Sequence, residues 1–438
     1  MDDAGRCPSD AATARRYPAG VHGTRPLDAL RQQAFRRFWI GALVSNTGSW
    51  MQNAAIPVVV FDLTGSSGDI GVTGFFQYVP FMVMGLLGGG LADRFPRRAL
   101  LIGSQVAQAL CAAALWLLVA SGEATTAWLA LLSFAAGLAA GLNTPIWQSF
   151  VTELVERDLL LHAVTWNSAQ FNAARALGPL LTGVVIAAWG ASTTFLLNAV
   201  SFLFVIGVLL TIRGRSDGTR RTVDGGVWRG TRDALRYVRS SPPIVACCVA
   251  ITTVAGLGSP LFSYLVVYGD EVFDVEGLQL GVLFGAAGIG AVIFTPVLLS
   301  LAPRLPRAAV LGAAMLCYGV AVAATGLAPG YVAAVAALLF FGAAYLAIAS
   351  TINTTIQLVV REDVRGIVIA IYLACLTGSL PIGLLVWGAV SDRWGIRPTT
   401  VVAGVLLVLA TLVFVATGRF RVMAEADEAR DAAVRPPA

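Results

Sequence analysis

Lysine is absent from this 438-residue chain, and histidine occurs only at His22 and His162. Without lysine there can be no G-x-x-x-x-G-K-[ST] phosphate loop, which excludes ATP-driven work by that route. The six cysteines, Cys7, Cys111, Cys247, Cys248, Cys317 and Cys375, show neither C-x-x-C nor Cys/His spacing. They outline no metal site or disulfide framework, and the five in apolar runs read as packing residues. The loops on the arginine-rich side are too short and too basic to build a metal-assisted or nucleophile–base centre. No cofactor is implied, and the chain is not expected to be an enzyme. Charge is scarce as well: 13% of residues are charged, against about 25% in soluble domains. With 57% hydrophobic residues and a mean hydropathy of +0.76, an ordinary soluble fold is excluded.

What is present is a series of apolar runs long enough to cross a bilayer, which takes roughly 20 residues for about 30 Å of hydrocarbon. They fall at about 38–61, 70–92, 99–120, 126–149, 163–189, 193–212, 243–268, 278–301, 308–327, 331–359, 367–391 and 399–417. Residues 308–360 hold no charged side chain, and Ala328-Pro329-Gly330 supplies the turn that divides them into two crossings. Of the thirty arginines, twenty-seven fall in alternate loops and the tails. Arg393 and Arg397 occupy the opposite loops, and Arg175 lies within a run. Because basic residues accumulate in cytoplasmic loops, this asymmetry predicts twelve spans with both termini inside, in a bacterial-type cytoplasmic membrane. The net charge of +5 is spread over span ends, with no basic face interleaved with aromatics, so nucleic acid is not a partner.

Residues 1–34 lack a signal-type apolar segment and read as a disordered cytoplasmic tail. A first group of six helices is expected over 35–212 and a second over 242–418, with a cytoplasmic tail at 419–438. Between the groups, 213–241 carries eight arginines. There Val227, Leu235 and Val238 alternate with Arg229, Arg232, Arg236 and Arg239, as in an amphipathic helix on an anionic leaflet. The two groups repeat. Gly183 and Trp189-Gly190 recur as Gly388 and Trp394-Gly395, and Gln148, Val151 and Glu153 recur as Gln357, Val360 and Glu362. Residues 92–97 recur at 302–307. Matches at nearly one offset predict an all-α integral membrane fold of two parallel six-helix repeats, a construction of secondary transporters with the site between the halves.

The loop after the second run reads Gly89-Gly90-Leu91-Ala92-Asp93-Arg94-Phe95-Pro96-Arg97-Arg98. An acid inside a basic turn can cap a helix or pair with an arginine in one conformation and lose it in another, as a gate requires. This loop resembles the major facilitator signature G-x-L-A-D-R-x-G-R-R, with Pro96 in place of the second glycine. Within that superfamily the chain is similar to the enterobactin-exporter branch of transmembrane secretion effectors. That likeness rests on Leu63-Thr64-Gly65-Ser66, on 172–179 with Arg175 and Gly178-Pro179, on 195–202 and on Arg365-Gly366. The branch usually continues R-G-R-V, whereas Ile367 stands here in place of the second arginine. The resemblance implies that Gly89, Asp93, Arg94, Arg97, Arg98 and Arg365 serve an inner gate; Glu153 and Glu362, which end corresponding helices, are expected to serve the inner gates as well. The resemblance also implies that Gly178-Pro179 marks an antiporter helix, and that helices one, four, seven and ten line the cavity.

Ser168, Asn172, Arg175, Pro179 and Thr182 share a helical face by their spacing. An arginine inside a span costs about 2.5–3.5 kcal/mol on insertion scales, so Arg175 is expected to face water or a partner. Two roles stand open for it: knitting its half together near Pro179, or meeting an anionic substrate group or a conformation-dependent partner. Further polar candidates in the runs are Asn46, Gln52, Asn53, Gln77, Asn143, Trp147, Tyr264, Tyr345, Asn353 and Gln357. For each, an interhelical hydrogen bond competes with substrate contact. Asp62 is the acid closest to a span interior and is the candidate proton carrier; the alternative is an interfacial residue ordering the next loop. The expected activity is export of a hydrophobic or amphiphilic small molecule (a drug, siderophore or secondary metabolite) by a monomer working as a proton antiporter. A cavity with aromatics and few charges suits such compounds. An importer on the same fold and, behind it, an integral membrane enzyme are the alternatives.

Overall fold

In a computed structural model the described residues are 25, 27–92, 95–212, 236–301, 304–360 and 364–420, with the side chains of 86–92, Arg157 and 365–367 left outside the description. Twelve long helices run in order: α1 Gln33–Thr64, α2 Ser67–Ala92, α3 Arg97–Ala120, α4 Thr126–Val151, α5 Leu160–Trp189 and α6 Ala191–Thr211. Then come α7 Pro242–Phe273, α8 Gly277–Leu301, α9 Arg307–Leu327, α10 Tyr331–Val359, α11 Arg365–Trp394 and α12 Ile396–Ala416. The ten helices from α3 onward are apolar and long enough to cross a membrane. Their outward surfaces stay greasy, as at Leu110, Leu203 and Val332, which is the surface a lipid solvent asks for.

Helix α1 is more polar for a reason visible in its contacts. Asn46 Nδ2 donates to Gln170 of α5, the Asn198 Nδ2 of α6 donates to Gln52, and Gln77 Nε2 of α2 donates to Asn53. Lipid tails cannot satisfy such groups, so they pair across helix contacts, at about 0.6 kcal/mol each on average.

The packing pairs repeat with six helices added. Contacts α2–α4, α3–α6, α3–α4 and α1–α5 have counterparts α8–α10, α9–α12, α9–α10 and α7–α11. The two six-helix repeats meet through α2–α11 and α5–α8, which are again counterparts. These joints lie toward the end where α1 stops and α2 starts, termed outer here after the arginine asymmetry.

Three expectations are corrected. Residues placed in the disordered first tail instead form a helical turn, Asp28–Arg31, and α1 already begins at Gln33. Asp28 accepts from the Arg25 N–H and pairs with Arg31, while Ala29 is wholly buried against the inner aromatic cluster of Phe35, Phe38, Trp147 and Phe150. The second tail starts one turn late for the same reason, because Phe420 packs on Phe414 with ring centroids 5.7 Å apart. The seventh run is not one continuous α-helix: it is α-helical to Leu257, 3-10 over Ser259–Phe262 and π over Tyr268–Phe273. Pro260 has no N–H to offer, and Gly258 lies where any Cβ would run into the Tyr318 ring. The Leu257 carbonyl, freed by the change of helix type, accepts instead from Trp387 Nε1 of α11 at 3.0 Å.

Candidate functional site

A cavity of about 430 Å³ lies between the two repeats. Its walls come from α1 (Trp50), α2 (Tyr78, Phe81), α5 (Phe171, Arg175), α7 and α8, α10 (Tyr345) and α11. Helix α4 contributes no residue to this cavity, which corrects the expectation from resemblance. Its two candidate side chains are turned to other helices: Asn143 accepts from Ser104 and Gln105 of α3, and Trp147 donates to Asn167 of α5. The places left open are taken by α2, α5, α8 and α11, the four helices of the inter-repeat joints.

Arg175 is the charged side chain in this lining, and no carboxylate joins it there among the described residues. Its guanidinium carbon stands 5.6 Å from the centroid of the Tyr345 ring, within the range of a cation–π contact. Such a contact contributes about 0.5–2 kcal/mol, less than the insertion cost of the charge, so it does not settle the charge alone. The remaining wall is mostly ring and methyl surface.

The polar face read on α5 divides. Ser168 and Asn172 donate to carbonyls of their own helix, those of Val164 and Ser168. Thr182 is buried and donates to Met51 of α1 at 3.1 Å. Gly178 and Pro179 are buried, and a Cβ on Gly178 would sit 2.9 Å from the Thr47 carbonyl. The Gly-Pro pair is thus where α5 presses on α1. Of the other candidates, Tyr345 reaches the cavity. Asn46, Gln52, Asn53, Gln77 and Asn143 are engaged between helices as described. Tyr264 is fully buried and donates to the Leu384 carbonyl of α11 at 2.7 Å, and Gln357 donates to Asn353 on the exposed side of α10. Asp62 is exposed near the end of α1, outside the cavity lining.

At the inner end, Arg97 pairs with Glu153 at 2.7 Å. Arg98 donates to the Leu209 and Leu210 carbonyls, closing the last turn of α6. Asp93, Arg94, Glu362 and the linker residues 213–235 lie outside the described residues, as does the Arg365 side chain; Gly89 falls within α2.

Two features were missed by sequence reasoning. The aromatic wall of Trp50, Phe81, Phe171, Phe262, Phe284 and Phe341 gives no signal in helices that are apolar all round. Asp392 did have one, since Gly388-x-x-x-Asp392-Arg393 repeats the spacing of Gly89-x-x-x-Asp93-Arg94. Its carboxylate, on α11, accepts from the Gly68 N–H at 3.0 Å and Ser66 Oγ at 3.1 Å, at the start of α2. A negative charge at a helix N-terminus is favourable, and here it spans the outer joint between repeats. Arg397 parallels Arg98: it donates to the Ala328 carbonyl at the end of α9.

A chain built this way, twelve helices in two repeats around a shared cavity, is a major facilitator transporter in its architecture. It belongs to the transmembrane secretion effector family, which matches residues 24–438. It is similar to the multidrug efflux pump Tap of Mycolicibacterium fortuitum, with 25% identity over 87% of this chain and 94% of that protein. A staphyloferrin A transporter of Staphylococcus aureus is 22% identical over 86% of this chain and 94% of its own length. Among solved structures, a bacterial homologue of the human lysosomal transporter spinster superposes with a TM-score of 0.73 at 16% identity, covering 90% of this chain and 98% of that one. That likeness speaks for the fold.

Proposed function

We propose that this secondary transporter exports hydrophobic or amphiphilic small molecules by proton antiport and alternating access, as a monomer with both termini cytoplasmic. The observation that carries the reading is the ring-lined cavity held between two repeats, with Arg175 as the one cation in its wall among the described residues. Apolar walls with a few placed polar groups suit compounds of mixed character. The efflux relatives support the outward direction, and the arginine asymmetry supports the orientation. The first repeat, 35–212, and the second, 242–418, rock against each other about the cavity, closing the outer joints in one state, while Arg97 with Glu153, Arg98, and the loop carrying Asp93 and Arg94 act at the inner gate. The pairing of Asp93, and of Glu362 with Arg365, belongs to the same proposal. Driving force is ample, since each charge crossing 100 mV contributes about 2.3 kcal/mol.

Inside-out vesicles given an acid interior are expected to accumulate a transported compound, and a protonophore should collapse the accumulation. Uptake indifferent to the gradient would remove proton coupling. Asp62→Asn tests the carrier: exchange without the gradient should persist while gradient-driven accumulation fails.

A further inference from the structure

We infer that the cavity selects amphiphiles carrying one anionic group, a carboxylate or an equivalent oxyanion, with Arg175 as the specificity-determining residue. The inference rests on the cavity being the transport site. Three observations lead to it. Arg175 is the charged residue of the lining among the described residues, and no carboxylate among them balances it there. Its guanidinium stands over the face of the Tyr345 ring, a contact that uses the plane of the group and not the N–H fork at its edge. The rest of the wall, from Trp50 and Phe171 on one repeat to Phe262 and Phe284 on the other, is mostly ring and methyl surface, with uncharged hydroxyls at Ser259, Ser263 and Thr377.

A guanidinium in a poorly solvated site has three ways to settle its charge: water, a protein anion or a bound anion. Among the described residues the lining offers no protein anion, and ring and methyl surface solvates a charge poorly. An incoming carboxylate therefore gains a charge-assisted, two-pronged hydrogen bond that a neutral amide of the same shape cannot match. A lipophilic cation meets repulsion instead, strengthened by the low local dielectric. The rings take the hydrophobic body by stacking and set no strict shape, so breadth toward apolar skeletons goes with strictness toward charge.

The test uses the full chain in lipid nanodiscs and three labelled probes of one skeleton. They are 1-naphthaleneacetate (anion), 1-naphthaleneacetamide (neutral) and 2-(1-naphthyl)ethylamine (cation), each corrected for binding to empty discs. The expected order is anion, neutral, cation, with about tenfold or more between the first two, the scale of one charge-assisted bond. Arg175→Gln should bring the acetate down to the amide's affinity and leave the amide within about twofold, the spread of a site left otherwise intact. Arg175→Lys should keep the acetate preferred. Phe171→Ala should weaken all three probes alike.

Equal affinity for acetate and amide in the natural chain, or an Arg175→Gln protein that still prefers acetate, overturns the inference. In either case sensitivity of all probes to Phe171→Ala leaves the cavity as the binding site. Binding of no probe at all removes the cavity reading and this inference together.

Discussion

Gly281→Leu is expected to abolish most transport while leaving the amount of reconstituted protein near normal. A Cβ on Gly281 would stand 2.7 Å from the Gly183 Cα and 2.9 Å from the Leu180 carbonyl, so α5 and α8 touch backbone to backbone. Small residues permit this close approach, which in lipid is the main source of helix association. Overpacking costs about 1–3 kcal/mol. The outer end closes through this joint, so the cost falls on the outer-closed state and shifts the equilibrium between states by about 5- to 150-fold. Turnover in proteoliposomes should fall with it. Gly207→Leu is the matched control, because a Cβ at Gly207 meets nothing within 4 Å. Equal activity of both variants would show that the α5–α8 joint does not need to close.

Phe38→Ala is expected to give the largest loss of stability. Phe38 is fully buried, with its ring centroid 4.2 Å from that of Trp147 and 5.5 Å from that of Phe150. It ties α1 to α4 at the inner end, beside the helical turn that holds Ala29. Phenylalanine-to-alanine changes in cores cost about 3–5 kcal/mol from lost packing and the cavity left behind. The lower part of that range applies here, because lipid is itself apolar and exposure costs less. Thermal unfolding in detergent should show the shift, with Phe38→Leu recovering more than half of it. A Phe38→Ala protein that melts like the natural chain would place the inner cluster outside the cooperative core.

How much of this was legible beforehand follows from what each signal measures. Arginine placement and run length report which segments cross and in which direction, because the bilayer imposes those rules on every span alike. They gave the twelve helices and the division at Ala328-Pro329-Gly330, where α9 ends at Leu327 and α10 starts at Tyr331. Arg175 stood out because a charge inside a span always needs a reason. The partners of Asn46, Gln52 and Asn143 were not legible. A polar residue in a span announces only that it needs a hydrogen bond, and choosing among neighbouring helices, water and substrate takes coordinates. The aromatic wall was hidden for a related reason. In soluble helices the apolar stripe marks the core, but in lipid the rings facing a cavity and those facing acyl chains look the same in sequence. The break in α7 could have been expected from Gly258-Ser259-Pro260, although not its repair by Trp387. Asp392 escapes arginine placement because that signal reads only cations, whereas the spacing from Gly388 to Asp392 shows only when the Gly89–Asp93 pattern is compared with the other ends of the helices.

The central claim is that two rigid repeats rock about a cavity so that it opens to one face at a time. Pulsed electron spin resonance measures this on one preparation, with the native cysteines replaced and labels placed in pairs. One pair, at Glu123 and Leu327, spans the outer end; another, at Leu161 and Leu305, spans the inner end; all four residues are exposed. On adding a transported compound and moving from alkaline to acid buffer, the outer distance should lengthen while the inner distance shortens. Distances that stay fixed, or that change with the same sign at both ends, would contradict alternating access by rocking.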